Sequence, residues 1–211
     1  MNTNLVNVTF YTLPGDEKFA PRPSHPGEDA GADIRAYAKD TYNRSDAVDF
    51  FRDFESCALK YGARLYIDGE VFTSESENDF LDLVDNSNGA AFLLPGDTIK
   101  VSAGFKIHME KGDMSSLLPV YKIVPRSGLA CNHGVVVTNS PGIIDSGYQD
   151  WVKVSLTNNG DNHHVFTHGS RIAQGLCELV YDQSTFPVVT DPSIFSQTSR
   201  GQGGFGSTNF D

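Results

Sequence analysis

Residues 4–13 (NLVNVTFYTL) alternate polar and apolar side chains and are rich in β-formers, a period of two that predicts a first strand. A proline-rich loop follows, and the rhythm returns after residue 92. Segments 98–109, 117–124, 134–138, 142–145, 151–158 and 172–181 carry apolar runs or alternations of strand length. Turns fall between them at Leu94-Pro95-Gly96-Asp97, Gly112-Asp113, Asn159-Gly160 and His168-Gly169. Short strands at this spacing, with frequent glycine and proline, predict an all-β domain: a jelly-roll-like barrel or sandwich.

Residues 39–91 break the pattern. Ala47, Phe50, Phe51, Phe54, Ala58 and Tyr61 recur at helical spacing behind a capping Ser45, and Gly62 ends the run. Asp68-Gly69 between two β-forming stretches predicts a tight hairpin. Residues 74–88 read as a polar, acidic stretch that completes the unit. The expected organisation is therefore a β core at 1–38 and 92–198, a small mixed α/β insertion at 39–91, and a Gly-rich, flexible arm at 199–211.

The net charge of −11 excludes a nucleic-acid polymer as partner, since backbone binding needs a basic face. Twelve acids and five bases in residues 39–91 supply seven of those charges. A nucleotide is still compatible with such a chain, because a few local arginines and a metal ion suffice. The three cysteines, Cys57, Cys131 and Cys177, lack metal-ligand spacing and predict buried, reduced thiols. The N-terminus does not read as a signal peptide, and no run approaches the roughly 20 apolar residues needed to cross a bilayer. A soluble, cytoplasmic protein is expected.

Four elements can carry chemistry. Arg200-Gly-Gln-Gly-Gly-Phe-Gly-Ser-Thr208 combines glycines that free backbone N–H groups for an anion with a guanidinium and two hydroxyls. A disordered glycine tail is the equal alternative. Pro125-Arg126-Ser127-Gly128 follows a strand, where a phosphate could dock or a plain turn could sit. In 139–148 (NSPGIIDSGY) a hairpin with open backbone groups can pair with a pyrimidine edge. Asp145 there is placed to deprotonate a water, or simply to make a turn. Arg171 and Gln174 open a strand and can donate to phosphate. His163, His164 and His168 read as solvated residues of a polar turn rather than as metal ligands.

Taken in order, AGADI at 30–34, PRSGLA at 125–130, GIIDSGY at 142–148, RIAQ at 171–174 and RGQGGFGST at 200–208 resemble the five motifs of the trimeric dUTPase family. The resemblance implies a β-clip, jelly-roll-like subunit in a homotrimer, with each active site shared between subunits and the C-terminal arm closing one of them. It implies hydrolysis of dUTP to dUMP and pyrophosphate with Mg²⁺, which keeps uracil out of DNA and supplies dUMP for thymidylate synthesis. Asp145 matches the water-activating aspartate. Tyr148 matches the tyrosine packed on the deoxyribose. Asn139, Ile143, Ile144 and Lys153 match the uracil-reading hairpin and its neighbour. Arg126, Ser127, Gly128 and Gln174 match phosphate contacts. Arg200, Phe205, Gly206 and Ser207 match the closing arm, and Asp33 the aspartate that holds the metal through water.

Some features depart from the family pattern. Asp150 and Trp151 follow the hairpin where a glycine and a polar residue are usual, and Gly175 stands where an apolar strand residue is usual. The 39–91 insertion resembles those of phage or viral members, which would act in the host cytoplasm. Its aromatic helix either packs on the barrel or docks a protein partner. The rival readings are a nucleotide-controlled regulatory binding protein acting through 39–91 and a related dCTP-directed enzyme.

Overall fold

Alternation at the N-terminus is realised as β1 (Val6–Tyr11), whose residues are half-buried and exposed in turn. The computed structural model describes residues 6–39, 43–74, 76–112 and 116–195. The further elements run β2 (Ala32–Arg35), α1 (Arg44–Tyr61), β3 (Leu65–Ile67), β4 (Glu70–Val71), α2 (Glu77–Asn86), β5 (Ala90–Leu93), β6 (Thr98–Ser102) and β7 (Lys106–Lys111). They continue with β8 (Leu117–Val124), α3 (Ser127–His133), β9 (Val135–Val137), β10 (Gly142–Asp145), β11 (Lys153–Asn158), β12 (His163–Thr167) and β13 (Arg171–Tyr181).

The strands form four small sheets, ordered β1-β7, β10-β8-β13-β2, β6-β11-β9 and β4-β3-β12-β5. The result is the expected all-β, jelly-roll-like architecture. Inward residues such as Ile34, Val101, Phe105, Ile107, Val154, Leu156 and Ile172 build the main core. Each buried side chain of this size stabilises the fold by about 1.5–3 kcal/mol. Residues up to Tyr181 make one compact unit, and a second begins at Asp182, ahead of the boundary at 198 expected from sequence.

The 39–91 insertion lies within the first unit. Its helix α1 starts one residue before the expected cap. Asn43, not Ser45, is the N-cap, its side chain accepting from the Ser45 backbone N–H at 3.1 Å. Gly62 ends α1 in the left-handed conformation, φ 71°. Asp68 and Gly69 both have positive φ, 54° and 92°, as the predicted hairpin requires.

The acidic stretch is a second helix, α2, capped by Ser76. Phe80, Leu81 and Val84 face inward from it and meet Phe50 and Phe51 of α1 in a second core. That core extends onto Val165 of β12 and Phe92 of β5. Strand β3 also pairs in parallel with β12. The insertion is therefore knitted to the barrel by both packing and a hydrogen-bond ladder.

Two expectations are corrected here. His163 and His164 are fully buried in β12, a central strand, instead of lying in a solvated turn. The cysteines are free, but Cys131 and Cys177 are exposed and Cys57 is half-buried. No helix among the described residues is long and apolar enough to cross a membrane.

Candidate active site

Asp33 sits in β2, which pairs with β13 at the edge of the β10-β8-β13-β2 sheet. Its neighbour in register is Gln174 of β13, which in turn lies opposite Val124 at the end of β8. The chain leaving β8 presents Arg126. Its Nε lies 3.4 Å from Asp33 Oδ1, close enough for an ion pair although not aligned for a hydrogen bond. Arg171 reaches the other oxygen from β13, its guanidinium donating to Asp33 Oδ2 at 3.4 Å. Ser24, from the proline-rich loop, donates to the same oxygen at 3.1 Å. Gln174 packs its side chain beside Gly31, where an added methyl would lie 3.6 Å from it.

Three separated sequence motifs are thus gathered around one carboxylate. Two guanidinium groups and a neutral amide beside it suit a polyphosphate, since arginine presents forked donors to such oxygens. Ser127 and Gly128, a turn candidate by sequence, open helix α3 instead. No side chain caps that helix start, so its first N–H groups lack intrahelical partners. Ser24 and the structural part of Arg171 were not assigned from sequence. The only signal for Ser24 is its proximity to prolines, which says loop and nothing more.

Strand β10 is the other half of the arrangement. It pairs with β8 on one side, and it stands at the edge of its sheet. Ile144 points into the main core, whereas Ile143 is about half exposed. Asn139 lies across Gly142, where an added methyl would meet its amide at 3.4 Å. Asp145 is exposed at the end of the strand. Its carbonyl accepts from the Tyr148 N–H at 3.0 Å and closes the turn. Tyr148 packs against the core and donates its hydroxyl to the Trp151 carbonyl at 3.0 Å. Burial, with Asp150 adding to it, pushes the Tyr148 phenol up in pKa.

The two departures after the hairpin have local partners. Asp150 accepts from the Trp151 N–H at 2.7 Å. The Trp151 ring lies 5.9 Å from that of Tyr11 in β1, with the Lys106 ammonium of β7 5.4 Å from its centroid. Lys153 is exposed at the start of β11, opposite Ser102. The Thr138 N–H donates to the Ser155 carbonyl at 2.9 Å, so the segment entering the hairpin leaves β9 beside that strand.

The structure does not join the two halves within one chain. Asp145 is opposite Val120 of β8, while Gln174 is opposite Val124. Four residues of strand separate them, about 13 Å along β8. Arg200, Phe205, Gly206, Ser207 and Thr208 lie outside the described residues.

The model of the dUTPase family matches residues 74–209. The chain is 41% identical over 116 residues to the deoxyuridine 5'-triphosphate nucleotidohydrolase of Aeromonas salmonicida, covering 55% of this chain and 70% of that protein. It is 40% identical over 126 residues to the Escherichia coli protein of the same name, covering 60% of this chain and 78% of that one. Among solved structures it resembles the dUTPase of Staphylococcus bacteriophage 80alpha with dUpNHpp, at a TM-score of 0.55 and 16% identity over 95% of this chain and 97% of that chain. A phage phi11 dUTPase structure that shows a species-specific insert is similar at a TM-score of 0.51 and 12% identity, over 91% of this chain and 99% of that one. The phage structures speak to the fold alone. The matched stretch, which begins at residue 74, takes in every motif but the Ala30–Ile34 one, and with these relatives it establishes that the chain belongs to the dUTPase family.

Proposed function

We propose that this chain hydrolyses dUTP to dUMP and pyrophosphate, removing a uracil source from DNA synthesis and supplying dUMP. The observation that carries this reading is the gathering of Arg126, Arg171 and Gln174 around Asp33. The edge hairpin bearing Asp145 lies on the other side of β8 in the same sheet. A cationic cluster binds the triphosphate. An open strand edge offers backbone donors and acceptors to a base.

In this reading Asp145 takes a proton from a water whose oxygen attacks the α-phosphorus, and the bond to the departing pyrophosphate breaks. Arg126, the N–H groups at Ser127 and Gly128, and Gln174 hold the phosphates and oppose the charge that develops on them. Asn139 and the backbone from Ile143 to Asp145 read uracil, with Lys153 alongside. Tyr148 stacks on the deoxyribose and leaves no room for a 2′-hydroxyl. Arg200, Phe205, Gly206 and Ser207 belong to the arm that closes over the nucleotide.

Asp33 fits a role toward Mg²⁺ through water. Its carboxylate accepts from Ser24 and faces two guanidinium groups, so it is set up to accept hydrogen bonds. Mg²⁺ itself favours phosphate oxygens and retained waters, and when bound it neutralises triphosphate charge.

The separation of the halves supports a homotrimer with shared sites. One chain leaves Asp145 about 13 Å along β8 from the Asp33 cluster, and a neighbour's hairpin would bring an Asp145 to that cluster. The second unit also exposes Val188, Ile194 and Phe195, apolar residues that suit a covering surface on another subunit.

The test is pyrophosphate release from dUTP, dCTP, dTTP and UTP, with Mg²⁺ and with a chelator. Turnover of dUTP alone, Mg²⁺-dependent and reduced about 10²- to 10⁴-fold or more in Asp145→Asn, is the expected result. Turnover of dCTP would indicate a dCTP-directed enzyme. No turnover by folded protein would overturn the reading.

A second role rests on the insertion. Leu59 of α1 is 91% exposed and lines, with Phe51, Phe54, Phe72 and Ser74, a cavity of about 580 Å³. A protein partner docked there would make the chain a regulatory binding protein as well. Loss of that partner's binding in Leu59→Asp, with dUTP turnover intact, would support it.

A further inference from the structure

Helix α1 places Asp53 and Cys57 one turn apart, so both side chains lie on one face. That face meets the start of β12, where His163 is fully buried between the rings of Phe50 and Phe54. His163 Nε2 lies 2.9 Å from Asp53 Oδ2, and Cys57 Sγ lies 4.0 Å from the same oxygen. The nitrogen, the sulfur and the oxygen all fall within 4.8 Å of one another. None of the three residues belongs to the motifs around Asp33 or Asp145.

We propose that Asp53, Cys57 and His163 form a structural binding site for a borderline-soft divalent cation, Zn²⁺ in particular. The donor set decides the metal class. A thiolate, an imidazole and one carboxylate suit zinc, whereas Mg²⁺ and Ca²⁺ take oxygen donors. Zinc bond lengths imply ligand-to-ligand edges of roughly 3.3 to 3.6 Å in a tetrahedron. The His163–Asp53 contact must open by a few tenths of an ångström and the Cys57–Asp53 contact must close by about half of one, and the Cys57–His163 separation, at most 4.8 Å, must close to the same edge by rotation of the Cys57 side chain. Asp53 is half exposed, which leaves the fourth position to water.

Binding requires the Cys57 proton to leave and the His163 proton to occupy Nδ1. That nitrogen is buried without a hydrogen-bond partner among the described residues, so the Nδ1–H form leaves a donor unpaired, a cost of about 1–3 kcal/mol that the metal bonds must exceed. The metal would link the insertion to the barrel across 110 residues of chain, between Asp53 and His163. Its effect is therefore on the attachment of α1, not on hydrolysis.

The test uses the full chain, stripped with a chelator and titrated with Co²⁺. The expected result is a thiolate-to-cobalt charge-transfer band in the near ultraviolet, with visible bands of four-coordinate cobalt. It saturates at one metal per chain and is displaced by Zn²⁺. Cys57→Ser, checked for folding by circular dichroism, should lose the charge-transfer band. Asp53→Asn should weaken binding about tenfold or more. Zinc should raise the unfolding midpoint of the unmodified chain and leave that of Cys57→Ser unchanged. A folded chain without the band, or a band that survives Cys57→Ser, would overturn the proposal.

Discussion

Gly175 lies against the Tyr121 ring, and a methyl group at position 175 would overlap the phenolic oxygen and two ring carbons. The two residues come from neighbouring strands, β13 and β8, with Gly175 opposite Ile123 and Tyr121 opposite Cys177. Tyr121 thus fills the volume that an apolar residue at 175 would take. Its hydroxyl is buried without a hydrogen-bond partner among the described residues, and burial pushes its pKa far up. Gly175→Ala should therefore destabilise by about 3 kcal/mol, at the upper end of overpacking costs. Tyr121→Phe should be neutral or stabilising by up to about 1 kcal/mol, since it removes an unpaired polar group. Urea unfolding of both variants checks the pair; a silent Gly175→Ala would mean that the ring moves freely.

His164 makes the fold acid-sensitive. It is 1% exposed, stacked on Tyr66 and Phe166 and set edge-on to His133. Burial first, then the like charges of His133 and His163, lower its pKa from 6.5 to about 4, with weak opposition from the His133 backbone. Above pH 6.5 neither folded nor unfolded chain carries the proton, and the contribution to stability is complete. Between 6.5 and about 4 the unfolded chain binds a proton that the folded chain refuses. Stability then falls with the pH, by up to roughly 3 kcal/mol. Unfolding free energy measured from pH 7 to 4 should show this slope, and His164→Phe should flatten it. An unchanged slope in the variant would assign the effect to other groups.

Replacing Asp33 by asparagine keeps its shape and removes the charge that holds Arg126 and Arg171. The two guanidinium groups would lose their common anchor, and the acceptor for a metal-bound water would weaken. We expect kcat/KM for dUTP to fall by about 10- to 100-fold. Stability should fall by about 1–3 kcal/mol, because the Asp33 carboxylate is only 10% exposed and the half-buried Arg126 loses its charged partner. Steady-state kinetics over a range of Mg²⁺ concentrations, beside thermal unfolding, separate the two effects. Full activity in Asp33→Asn would remove Asp33 from the site.

What the sequence made legible and what it hid have physical causes. Strands with one wet face, such as β1 and β11, declare themselves by alternation. The glycines at 62 and 69 mark their positive-φ positions because few other residues tolerate them. Strand β12 was hidden because its leading residues, His163 and His164, look polar. Only the fold shows that an aromatic insertion shields them and that Asp53 supplies a partner from 110 residues away. Helix α2 was hidden by its acidic surface, although Ser76 and the spacing of Phe80, Leu81 and Val84 held the signal. The motif residues were legible as a set. The ion pairs that gather Arg126 and Arg171 on Asp33 were not, because they join segments with no local period in common.

The separation of Asp145 from the Asp33 cluster makes the proposed shared site testable by refolding mixed variants. Asp145→Asn and Arg126→Ala should each be inactive alone, the first for want of a base and the second for want of a phosphate contact. If every site takes its hairpin from one subunit and its cationic cluster from another, mixed trimers contain some sites free of both lesions. Random assembly of equal amounts places an intact hairpin beside an intact cluster in about a quarter of sites. Unfolding the two variants together and refolding them should restore about that fraction of activity, while refolding either alone should restore none. If both halves came from the same subunit, every site would carry one lesion and the mixture would stay inactive. Recovery that depends on co-refolding therefore distinguishes a shared site from one contained in a single chain.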